Sequence, residues 1–152
     1  MIIENRIIVN YIYLRMKEND MRNRFDRQLL ELNNELIEMG SLIEQAIEMG
    51  ISALVKQNVE LADKAIKFDV EIDEQEKNIE SLCMKLLLQQ QPVARDLRLI
   101  SAALKMITDM ERIGDQATDI SEMTILMAGA DYSTGEIDID VVKQMAKETT
   151  DM

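Results

Sequence analysis

Histidine and tryptophan are absent from this 152-residue chain, which has one cysteine, one proline, five glycines, three tyrosines and two phenylalanines. Without histidine there is no imidazole for acid–base catalysis or metal ligation, and no serine, threonine or cysteine nucleophile has its usual base. The chain therefore does not read as an enzyme. Cys83 has no internal disulfide partner; set in an apolar helical pattern, it reads as a small core residue in a reduced compartment rather than a reactive thiol. Basic charge is also short, with 17 Lys and Arg against 29 Asp and Glu for a net charge of −12. Five basic and three acidic groups fall within residues 1–24, so the rest is more acidic still. No basic face suited to phosphate neutralisation is evident from the sequence, which disfavours direct nucleic-acid binding. Residues 1–14 alternate apolar side chains with Glu4, Arg6 and Asn10, too charged for a membrane span and without a small-residue cleavage site.

What is abundant is Met, Leu, Ile, Glu and Lys, the make-up of a helical protein, in a chain long enough for one real core. Residues 1–20 do not continue the pattern that follows; their Ile and Tyr content fits a strand or a short amphipathic piece upstream of a natural start at Met21. From Arg22 to about Gln57, Leu29, Leu32, Leu36, Met39, Ile43, Ala46 and Gly50 recur at the three-and-four spacing of an amphipathic helix. Asn58 is placed to cap a second helix running to about Gln90, with Leu61, Ala65, Phe68, Ile72, Ile79, Cys83 and Leu86 on one arc. Pro92 then disfavours helix at Gln91 and suits the first turn of a third helix, Val93 to about Gly129. Its expected apolar seam is Leu97, Ile100, Leu104 and Ile107, with Asp96 favourably placed in the first turn. Residues 130–135 read as a loop, and Asp138 as the cap of a fourth helix from Ile139. Short connections make neighbours antiparallel, so the expectation is an all-α, elongated antiparallel three-helix bundle over 21–130, then a linker and the start of a fourth helix over 131–152.

The third helix carries the chemistry. Glu111, Asp115 and Asp119 form one ridge, with Glu122 beside it, and on a helical wheel this ridge overlies Leu97 and Leu104. The second helix has a matching row in Asp69, Asp73, Glu76 and Glu80. Carboxylates spaced by four weaken a helix by a few tenths of a kcal/mol each, and burying them unpaired costs far more. Antiparallel packing would bring the rows together as an oxygen-only site for hard cations or ferric iron; the alternative is that both rows face solvent. Arg95, Arg98 and Arg112 suit a phosphate or a partner's carboxylate, and pairing with nearby acids is the plainer use.

The combination of Gln-Gln-Pro-Val-Ala-Arg-Asp-Leu-Arg at 90–98, Glu-Arg-Ile-Gly-Asp at 111–115 and Met39-Gly40 in a long first helix resembles the PhoU family, the accessory proteins of phosphate-specific transport. The resemblance covers residues 21–152. It implies a cytoplasmic negative regulator of phosphate uptake and starvation signalling, built of tandem three-helix bundles. Such a protein would act as an adaptor between the ATPase subunit of the phosphate ABC transporter and a sensor histidine kinase. It also implies a metal role for the family's Glu/Asp-x-x-x-Asp motifs, matched by Asp69 with Asp73 and Glu111 with Asp115, with Asp119 extending the ridge. Fe, Mn, Mg and Zn are the candidate ions. A metal-binding or purely structural bundle without regulatory partners is the alternative. Only the opening of a second repeat is present, and a missing bundle would expose the surface it covered, so self-association as a homodimer or a poorly ordered fourth helix is expected.

Overall fold

The computed structural model describes the backbone of residues 2–89, 94–129 and 139–150, and the side chains of 22–88, 94–129 and 140–150. Four helices make up these residues: α1 (Ile2–Lys56), α2 (Val59–Gln89), α3 (Ala94–Ala128) and α4 (Ile139–Thr150), with no strand among them. The expected all-α bundle is therefore the observed one. Its helix ends fall within a residue or two of the sequence reading except at the start. Residues 2–20, read as a strand or short amphipathic piece, are the first five turns of α1. No proline or glycine interrupts the chain before Gly40, and extending an existing helix costs far less than starting one, so weak β-branched preferences upstream are overridden. Gln90–Val93, including Pro92, and the Asp138 cap lie outside the described residues.

The joint between α1 and α2 contains no spare residue. Gln57 takes a left-handed φ of 48°, its amide donates to the Leu54 carbonyl at 3.2 Å, and the Asn58 amide donates to that of Ala53 at 2.9 Å. These bonds satisfy the last carbonyls of α1 in the manner of a Schellman turn, with glutamine where glycine is usual. Asn58 opens α2 as expected: its side-chain oxygen accepts from the Leu61 amide at 3.0 Å.

Register is fixed by two polar contacts. The Gln75 amide donates to the Glu35 carbonyl and carboxylate at 3.1 and 2.8 Å, setting α2 antiparallel to α1. Arg22 reaches the buried Asp96 carboxylate at 3.3 Å, tying α1 to the first turn of α3. Between these helices lies a core that includes Leu32, Met39, Ile72, Ile79, Leu86 and Ile100. α4 packs on α1, and Val142 and Ala146 line one cavity together with Ile47 and Ile51.

The seam of α3 differs from the expected one. Leu97 is 45% exposed and Leu104 only partly covered, while Ile100, Ala103, Ile107, Gly114, Ala117, Ser121 and Thr124 are buried. The spacing alternates strictly between three and four, apart from half-buried Met110 between Ile107 and Gly114, so the stripe runs through alanine and glycine positions rather than through the most apolar residues. Its C-terminal half gives way to small side chains, and the carboxylates flank it.

Candidate acidic site between α2 and α3

Small residues let the helices approach closely. At Gly114 a β-carbon would lie 3.0 Å from Ile72 Cδ1, 3.3 Å from Ile72 Cγ2 and 3.6 Å from Asp69 Oδ1. Without one, Ile72 seats directly on the α3 backbone and carries its neighbours Asp69 and Asp73 to the flank of the contact. Gly50 plays a similar part between α1 and α3, where a β-carbon would stand 3.0 Å from the Ala117 carbonyl oxygen.

At this crossing four of the five sequence candidates come within electrostatic reach of one another. Partial burial, then the charges of Asp73 and Asp115, hold the Asp69 carboxyl above its ordinary value, and a hydrogen bond with Thr118 opposes them. Glu111 is raised by partial burial and then by Asp115, Glu76, Asp73 and Asp69. Glu76 joins from the α2 row, raised by partial burial and by Glu80, Asp73 and Asp115, with Lys77 opposing. Asp69, Asp73, Glu76 and Glu111 are half-buried and Asp115 is exposed. The cluster thus lies along the edge of the helix interface, neither in the core nor spread over open surface.

Asp119 stands apart. It is exposed, it accepts from the Gln116 amide at 3.4 Å, and its charge is not among those acting on the raised carboxyls. One turn beyond Asp69, α2 presents buried Ala65, and its next acid, Asp63, pairs with Lys67. Glu76, read in the α2 acidic row but not among the five proposed ligands, and Thr118 complete the cluster. The four-residue and three-residue spacing from Asp69 and Asp73 points to Glu76, whereas only the helix crossing reveals Thr118. Of the arginines, Arg112 meets Asp109 at 3.9 Å, whereas Arg95 and Arg98 make no ion pair among the described residues. Their expected pairing with nearby acids is not observed, because the adjoining stretches of α2 and α3 lack exposed carboxylates.

The donor set is one a hard cation accepts, all carboxylate oxygen and mutually repelling. In the described side-chain conformations no three acidic or cysteine side chains converge closely enough to hold an ion. The residues that could gather around one by rotamer changes are Asp69, Asp73, Glu76, Glu111 and Asp115.

A PhoU domain matches residues 36–124, a span that holds every member of this cluster. The chain is 38% identical over 122 residues to a phosphate-specific transport system accessory protein PhoU homolog of Aquifex aeolicus, covering 80% of this chain and 55% of that one. It is 39% identical over 125 residues to the homolog of Clostridium acetobutylicum, covering 82% and 54%. The crystal structure of PhoU from Pseudomonas aeruginosa superposes with a TM-score of 0.77 at 29% identity, over 84% of this chain and 60% of that one. An all-helical bundle with paired acidic rows is the class of protein defined here, and the chain belongs to the PhoU domain family. It spans about half the length of the curated relatives it matches.

Proposed function

We propose that this chain is an accessory protein of phosphate-specific transport, acting without catalysis on the cytoplasmic side as a negative regulator of uptake and of phosphate-starvation signalling. In this reading it bridges the ATPase subunit of the phosphate ABC transporter and the sensor histidine kinase, and the acidic cluster takes up one or more cations. The observation that carries the reading is the Gly114 crossing, which sets acidic side chains of two helices beside one another within the family-matched span. The names of the relatives support the transport role. No helix among the described residues is long and apolar enough to cross a membrane, which suits a protein that works on a transporter from outside the bilayer. A bound cation would supply charge neutralisation between α2 and α3, and so couple ion occupancy to the packing of the two helices.

Two measurements test the reading. In pull-downs with purified ATPase subunit and kinase, retention by either one at high or low phosphate is expected; retention by neither leaves a metal-binding or structural bundle. Elemental analysis of protein purified without chelator should find metal in the native chain and little in an Asp73→Ala/Asp115→Ala double variant. Equal contents in both would remove the metal site.

A further inference from the structure

The fold sorts charge along the bundle. The Arg22–Asp96 contact and the antiparallel setting of α2 gather residues 22–31, 81–89 and 94–105 at one end. Together residues 22–31 and 81–105 contain seven Lys or Arg and three Asp or Glu, a net of +4, residues 1–21 sum to zero, and the remaining stretches carry −16. Asp96 and Asp26 are already taken by Arg22. Arg24, Lys85, Arg95, Arg98 and Lys105 are exposed and make no ion pair among the described residues. The same end exposes large apolar side chains between its cations: Leu88 is 83% exposed, and Leu30, Met84, Leu97 and Leu99 are about half exposed or more. Beyond it α1 continues through residues 2–20, about 30 Å of helix. Nine of the residues from Ile2 to Leu14 are Ile, Val, Leu or Tyr.

We propose that this end of the bundle docks on an anionic phospholipid surface. Guanidinium and ammonium groups interleaved with exposed leucines match a charged headgroup layer over an apolar interior, and such patches bind peripherally without spanning. Attraction to such a surface also separates the basic end from the acidic remainder, which the bilayer repels.

Sedimentation of the full chain with vesicles tests this. At about 0.1 M salt the protein should pellet with phosphatidylglycerol-containing vesicles and stay in solution with pure phosphatidylcholine. About 0.5 M salt should release it. An Arg95→Glu/Arg98→Glu variant should bind at least about tenfold more weakly while melting as the native chain does, since neither arginine has an ion-pair partner among the described residues. Leu88→Ser should weaken binding without altering its salt dependence. Equal binding to the two vesicle types, no binding to either, or an unaffected arginine variant would overturn the proposal. So would release by inorganic phosphate at constant ionic strength, which would assign the arginines to free phosphate. Conversion of a vesicle-free dimer to a monomer by the arginine variant would assign the end to self-association instead. Should the variant fail to fold, the lipid and salt dependence of the native chain still decides.

Discussion

Asp69, Glu76 and Glu111 hold their protons more tightly than ordinary carboxyls because partial burial and neighbouring carboxylates disfavour the charged form. A carboxyl raised in the folded state binds more protons there than in the unfolded chain across the interval between the two values. Stability then falls as pH rises through that interval and is recovered on acidification. The metal-free protein is therefore expected to melt higher at about pH 5 than at about pH 7, and calorimetry across that range checks it. Replacing one repelling charge should act in the same sense: Asp115→Asn, at an exposed position, should raise the melting temperature at neutral pH by about 1–2 °C and flatten the pH slope. A melting temperature that drops in this variant would mean that the carboxylate has a favourable partner.

At the scale of elements, α2 and α3 depend on the missing side chain at position 114. Gly114→Val drives branched methyls into Ile72 and should cost about 1–3 kcal/mol by overpacking, read by denaturant unfolding. The same displacement should lessen the pH dependence, since it moves Asp69 away from Asp115. The α1–α2 joint is expected to respond the opposite way. Gln57 pays for a left-handed backbone that glycine adopts freely, so Gln57→Gly should stabilise by a few tenths to about 1 kcal/mol after the extra entropy of the unfolded chain. The sequence shows this joint well, because Asn58 stands alone between two apolar periodicities as a cap residue. It shows the α3 seam less well. Leucines at 97 and 104 outweigh Ala103 in any reading of hydrophobicity, yet close helix packing favours the smaller side chain, and only the crossing geometry decides between them.

For the whole molecule, the three-helix bundle was legible from spacing, and the four-residue steps from Asp69 and from Glu111 placed each acidic row on one side of its helix without deciding whether the rows met each other or solvent. How deeply those rows lie was not legible. Each four-residue step turns the ridge about 40° around the axis, away from a core stripe that keeps its three-and-four spacing, which is why Glu111 is half-buried while Asp115 and Asp119 are exposed. The turn at Gln57 and Asn58 bears on the same matter. With no loop to absorb a change, Asn58 sets the rotational phase of α2, and Asp69 lies three turns downstream, still locked to that phase. One residue inserted at the joint would turn α2 by about 100°, and its core stripe and its acidic row could no longer both face their partners. The absence of slack at one hairpin thus makes the direction of the acidic row an inherited angle, settled where α2 begins and read out where it meets α3.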